Sequence, residues 1–99
     1  MAQETENKVK RSLRRVSRDI VAVTPEMASR WLSCNPHNRR ISCEKVDLLC
    51  RKIKSGEWRP FPGIEVFDTG RLWNGQHRLM AIVKTGLAVP LCVFVYKLV

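Results

Sequence analysis

The sequence predicts a small α+β domain of about four strands and three helices. Short apolar runs typical of strands are interspersed with three stretches whose apolar residues recur at helical spacing. Glycine or proline stands at most of the boundaries between them. A chain of 99 residues has room for one domain, and its apolar and charged fractions of 44% and 27% are those of an ordinary globular protein.

The first half of the domain is expected to contain one strand and two helices. Residues 20–23 form a short apolar run that predicts the first strand. Thr24, followed by a proline, is a typical helix start, and this helix is expected to continue to about Ser33. Ser42 is the expected cap of a second helix, which ends at Gly56. The apolar stripe of that helix consists of Val46, Leu49, Cys50 and Ile53.

The second half is expected to contain three strands and one helix. Residues 64–67 and 72–73 predict a hairpin around a tight turn at 68–71. The helix that follows ends at Gly86, and a nearly continuous apolar run at 89–96 predicts a final strand in the middle of the sheet. The apolar residues that this helix is expected to direct inward are Leu79, Ile82 and Val83.

The chain is strongly basic. Lysine and arginine outnumber aspartate and glutamate by 18 to 9, a net charge of +9, so phosphate-bearing partners are expected. Residues 1–18 carry six basic and two acidic side chains, and we divide the chain into a basic arm, 1–18, and a domain, 19–99. The arm is either a solvated terminus or a nucleic-acid-binding segment. In the second case the contacts come from Lys8, Lys10, Arg11, Arg14, Arg15 and Arg18.

Other patterns argue against a membrane or secreted protein. The longest apolar stretch, 87–99, is interrupted by Pro90 and Lys97 and falls short of the ~20 residues that span a bilayer. The N-terminus lacks the charged-then-apolar order of a signal peptide, so we expect a cytoplasmic protein. The four cysteines form no Cys-x-x-Cys pair, and we predict no metal site. Cys50 and Cys92 are expected in the core.

The most informative segment is Asn-Gly-Gln-His-Arg at residues 74–78. A strand leads through Gly75 directly into a helix, whose first turn offers unpaired backbone N–H groups and a partial positive charge. Gly75 lacks a Cβ and lets a phosphate approach the backbone. Arg78 is placed to turn its guanidinium onto phosphate oxygens, and Gln76 and His77 add donors. The same pattern also fits an ordinary helix start with a solvated Arg78.

The segment Gly75-x-x-Arg78-x-x-Ala81 resembles the Gly-x-x-Arg-x-x-Ala phosphate-binding box of ParB N-terminal domains. Residues 74–78 look like the Asp-Gly-Gln-His-Arg box of phage ParB-like and DndB-type proteins. Residues 35–39 resemble the Asn-Pro-x-x-x-Arg loop that begins ParB domains, with Arg39 one position earlier than the arginine of that loop. The resemblance covers about residues 20–97. It implies the ParB/sulfiredoxin-like fold and a phage or another mobile element as the source.

The resemblance also implies a pocket for phosphates. ParB proteins bind and hydrolyse CTP, sulfiredoxin and a free-serine kinase use ATP, and some ParB-like proteins are described as nucleases. The ligands implied here are CTP or ATP with Mg²⁺. On the matching positions, the phosphates are expected to contact Asn74, Gly75, Gln76, His77 and Arg78, with Arg39 and Arg40 clamping them from the facing loop.

Departures from the family pattern limit these implications. Gln76 occupies the position of the sulfiredoxin catalytic cysteine, so sulfinic-acid reduction is not expected. Asn74 replaces the usual aspartate and removes a carboxylate that binds metal or acts as a base. Gln76 and His77 replace Glu and Arg of ParB boxes, which puts CTP specificity in question. The chain ends near Val99, so we expect neither a helix-turn-helix domain nor a complete partition protein, and a homodimer stays open.

Three functions are compatible with these residues. The leading one is a small phosphate-binding module that binds nucleotide or nucleic acid through residues 75–78 and the arm. The second is an enzyme that uses the same pocket as its active site, namely an NTPase, a phosphotransferase or a nuclease. Its catalytic candidates are Asp68 and His77. The third is a phage-encoded inhibitor of a host protein. Among the tryptophans, Trp58 is the better exposed candidate for stacking on bases, whereas Trp31 and Trp73 are expected in the core.

Overall fold

A computed structural model describes residues 13–35 and 40–98, which contain four strands and three helices. The strands are β1 (Leu13–Val23), β2 (Ile64–Phe67), β3 (Leu72–Asn74) and β4 (Val89–Leu98). The helices are α1 (Pro25–Ser33), α2 (Cys43–Ser55) and α3 (Gln76–Thr85). The α+β class is therefore confirmed. The residues of interest outside the described ranges are Lys8, Lys10, Arg11 and Arg39.

The four strands form one mixed sheet in the order β1-β4-β2-β3. β4 is antiparallel to β1 and parallel to β2, while β3 is antiparallel to β2. β4 therefore has a neighbour on each side, which confirms the position predicted from its apolar sequence. β1 and β3 are the two edges.

β1 is longer than the predicted strand at 20–23, because it begins at Leu13. The polar sequence of residues 13–18 indicates a separate arm, but these residues pair with the last part of β4, and Leu13 lies opposite Leu98. Most of their side chains are exposed. This end of the strand is thus formed by backbone hydrogen bonding to a distant segment and not by burial, so no apolar alternation marks it in the sequence.

The helices begin and end at the predicted residues. Thr24 and Ser42 each accept a hydrogen bond from the backbone N–H three residues later, as N-caps do. Gly56 and Gly86 end α2 and α3 with positive φ angles of 84° and 70°. None of the helices in the described ranges is long and apolar enough to cross a membrane.

All three helices pack on the same face of the sheet. One hydrophobic core contains buried residues of every helix and strand, among them Val23, Ala28, Val46, Ile53, Ile64, Val66, Leu72, Leu79, Ile82, Leu91 and Val93. Cys50 and Cys92 are buried, as predicted. The inward orientation predicted for Val83 is wrong, since 40% of this residue is exposed. α3 contacts both α1 and α2, and this centres its buried face on Leu79, Ala81 and Ile82.

Candidate functional site

A cleft of about 480 Å³ lies between the first two turns of α2 and the start of α3. Its volume is within the range of roughly 300–1,000 Å³ that is usual for small-molecule sites. Residues 74–78 form one wall, and α2 contributes Lys45, Leu48 and Leu49. The cleft is completed by Asn35, Pro62, Gly63, Glu65 and Leu72. The lining thus combines apolar side chains with a few polar and charged groups.

His77 connects the starts of the two helices. Its Nε2 accepts a hydrogen bond of 2.9 Å from the backbone N–H of Ser42, the cap of α2. An accepting Nε2 carries no hydrogen, so the ring hydrogen is assigned to Nδ1. Each helix N-terminus carries a partial positive charge. Because two of them lie side by side here, the cleft favours an anion.

Gly75 is required by packing as well as by its backbone conformation. It has a φ of 113°, a value that residues with a side chain rarely adopt. A Cβ at this position would overlap the side chain of Ile64 in β2. The missing Cβ therefore allows α3 to begin directly against the sheet. The sequence pattern suggests a different reason, the close approach of a phosphate.

Arg78 is a half-buried side chain that holds the loop between α2 and β2. Its Nη1 donates to the carbonyl of Arg59 at 3.1 Å and its Nη2 to the carbonyl of Phe61 at 2.9 Å. The guanidinium carbon lies 4.9 Å from the ring centroid of Trp58. Burial lowers the pKa of Arg78, which stays charged at neutral pH. A guanidinium has five N–H groups, so donors remain for a ligand.

Trp58, the tryptophan that the sequence favours for base stacking, is already engaged in this loop. Trp58 is half-buried, and its Nε1 donates a hydrogen bond to the carbonyl of Pro90 at 2.8 Å. The Arg78 guanidinium lies over its ring. These contacts give Trp58 a structural role beside the cleft. Trp31 is half-buried against the core, as expected, whereas Trp73 is half-buried outside that core and stacks on Phe67, so the expectation for Trp73 is wrong.

Glu65 and Asn74 form a hydrogen-bonded pair at the rim of the cleft. Asn74 Nδ2 donates to Glu65 Oε1 at 3.2 Å, and the hydroxyl of Tyr96 donates to Glu65 Oε2 at 3.3 Å. Burial of the phenol, together with the Glu65 carboxylate, raises the pKa of Tyr96. An aspartate at position 74 would place a second carboxylate beside Glu65. The two negative charges would repel each other, which disfavours the ionised form of both carboxylates. This pairing gives a physical reason for an asparagine at position 74.

The structure brings residues 74–78 together in one wall and separates them from those of the other predicted site residues that it describes. Arg40 is exposed and does not line the cleft, and Arg39 lies outside the described ranges. Asp68 is in the exposed turn before β3, whereas Gly75 follows β3, so the two lie at opposite ends of that strand. The arginines at 14, 15 and 18 lie in β1. No group of three or more metal-binding side chains occurs in the described part of the chain.

Lys45 is a cation of the cleft that the sequence motifs do not include. It lies in the first turn of α2, three residues after the cap Ser42. A lysine is unfavourable there, because the helix N-terminus carries a partial positive charge. A basic residue in a first turn is therefore the signal in the sequence that points to Lys45.

No protein-family model, no curated protein and no solved structure matches this chain.

Proposed function

We propose that the chain is a ParB/sulfiredoxin-like module that binds the phosphates of a nucleoside triphosphate, CTP or ATP, in the cleft. The observation that carries this proposal is the convergence of two helix N-termini, joined by the hydrogen bond from Ser42 to His77. Lys45 and Arg78 line the same cleft and add two cationic side chains. A volume of about 480 Å³ is appropriate for a nucleotide.

In this proposal the backbone N–H groups in the first turn of α3 donate to phosphate oxygens, as helix N-termini do. Lys45 balances the negative charge from the opposite wall. Mg²⁺ accompanies nucleoside triphosphates and is bound by carboxylates together with phosphates. Glu65 is the carboxylate among the described lining residues and is the group that would hold the ion.

The proposal includes nucleic acid, which would bind through β1. Arg14, Arg15 and Arg18 lie in this edge strand, and Arg14 pairs directly with Lys97 of β4. Like charges directly opposite each other destabilise a sheet. A phosphate backbone bound along β1 would remove this repulsion. This half of the proposal is supported by the charge of the strand and not by the cleft.

The substitution Lys45→Gln tests the cleft. It is expected to raise the Kd for CTP or ATP by about tenfold or more, since it removes a charged partner of the phosphates. Isothermal titration calorimetry with CTP, ATP and inorganic triphosphate measures the change. Triphosphate alone is expected to bind, because the cleft groups named above recognise phosphate and not the base.

Lys54→Gln is the matched control, because it removes the same charge from an exposed lysine in the last turn of α2. Its nucleotide affinity is expected to equal that of the wild type. Equal affinities of Lys45→Gln and wild type would contradict the proposal. The absence of any binding of nucleotide and triphosphate to the wild type would contradict it as well.

A further inference from the structure

One face of the sheet is free of helices in the described part of the chain. The helices share their core with Ile64 and Val66 of β2 and with Leu91 and Val93 of β4. Because side chains alternate along a strand, the intervening residues of β2 and β4 face the other side. There they form, with one residue of β3, a group of four aromatic side chains that we call the aromatic face: Phe67, Trp73, Phe94 and Tyr96.

Trp73 contacts two other rings of the aromatic face. Phe67 stacks on Trp73, with ring centroids 5.5 Å apart and an interplanar angle of 22°. Tyr96 meets Trp73 edge-on at 5.6 Å and 86°. All four residues of the face, including Phe94, are half-buried, so part of each remains accessible to a partner. These contacts gather three rings, centred on Trp73, on the surface of the sheet, where a planar ligand can stack or meet a ring edge.

Two arginines border the aromatic face. Arg15 pairs with Tyr96 and Arg18 with Phe94, and directly paired residues lie on the same side of a sheet. Both arginines are exposed, and neither forms an ion pair within residues 13–35 and 40–98. Glu65 also lies on this side and keeps its negative charge, because its two hydrogen-bond donors, Asn74 and Tyr96, are neutral. The two arginines outnumber this carboxylate, so the net charge of these three groups is positive.

We propose that the aromatic face binds single-stranded nucleic acid, with bases stacked around Trp73 and with Arg15 and Arg18 on the phosphates. Aromatic rings beside cations are the combination by which single strands are bound without reading their sequence. A duplex keeps its bases stacked inside and does not offer their faces. A second copy of the chain is disfavoured, since it would bring the arginines of both copies together. The inference rests on the nucleic-acid half of the proposed function and is independent of the cleft.

The substitution Trp73→Leu tests the stacking. We expect it to weaken binding of a labelled 20-nucleotide oligothymidylate by about tenfold or more and to change binding of a duplex of equal length much less. Fluorescence anisotropy measures both affinities. Trp31→Leu, which alters a half-buried tryptophan on the helical side, is the control and is expected to bind as the wild type does. Circular dichroism establishes that each variant is folded.

The substitution Arg18→Gln provides a test that does not disturb the packed rings, because the residue is exposed. Removing one phosphate contact is expected to reduce the slope of log K against log salt by about 0.7 for a single strand. Lys54→Gln on α2 is its matched control and is expected to leave the slope unchanged. Ultraviolet crosslinking of a bromouridine-substituted strand, followed by peptide mapping, is expected to label β1, β3 or β4.

The outcomes separate this inference from the function on which it rests. If the wild type binds the single strand and both Trp73→Leu and Arg18→Gln bind it equally well, the inference is overturned and the nucleic-acid function stands. If sedimentation shows that Trp73→Leu abolishes a wild-type dimer, the face is an interface between copies and the inference also fails. If the wild type binds no nucleic acid at all, that half of the proposed function fails with it. Nucleotide titrations still test the cleft.

Discussion

Replacement of Gly75 by alanine is expected to lower the free energy of unfolding by about 3 kcal/mol or more. Two costs add at this position. The φ of 113° is strained for any residue with a Cβ, and the new methyl group overlaps Ile64, which is completely buried in the core. Relief of the overlap requires a shift of the start of α3 away from β2. Urea denaturation followed by circular dichroism measures the loss.

Gly70→Ala is the control that separates the two costs. Gly70 also has a positive φ, 93°, but a Cβ there meets no atom within 4 Å. The free energy of unfolding of this variant is therefore expected to fall only by the cost of backbone strain, on the order of 1 kcal/mol. Equal losses in the two variants would show that the packing of Gly75 on Ile64 contributes nothing.

Arg78→Met is expected to reduce both the stability of the fold and the affinity for nucleotide. The guanidinium holds the carbonyls of Arg59 and Phe61 and stacks on Trp58, so its removal is expected to cost about 2 kcal/mol of unfolding free energy. The same substitution removes a cation from the cleft wall. Denaturation and calorimetry on the same sample measure the two losses.

Arg78→Lys distinguishes the two roles of this side chain. A lysine keeps the positive charge, but it lacks the planar fork that reaches two carbonyls while lying over the Trp58 ring. We expect this variant to lose most of the stability that Arg78→Met loses while keeping part of the nucleotide affinity. Variants as stable as the wild type would refute the role of Arg78 in holding the loop.

The local elements of the fold were predictable because local chemistry determines them. Thr24 and Ser42 cap α1 and α2, and Gly56 and Gly86 end α2 and α3, with signals that lie within a few residues of each boundary. The first half of β1 was not predictable. Its partner is the end of β4, about 80 residues along the chain, and its exposed side chains carry no alternation.

The candidate site also has a part that was predictable from the sequence and a part that was not. Residues 74–78 were grouped correctly, since they are consecutive and share one strand-to-helix turn. The carbonyls that Arg78 holds, the link from His77 to Ser42 and the position of Lys45 all depend on how α2 packs beside α3. Such contacts join segments about 20 to 35 residues apart and leave no spacing pattern in the sequence.

The central claim, that phosphates of a nucleotide bind between the starts of α2 and α3, is tested most directly by amide nuclear magnetic resonance. Two-dimensional ¹H–¹⁵N spectra recorded during titration with CTP or ATP report each backbone N–H separately. We predict that the largest shift changes occur at Gln76, His77 and Arg78 and in the first turn of α2. Saturating nucleotide that leaves these amides unchanged, or that shifts only amides of β1 and β4, would contradict the claim.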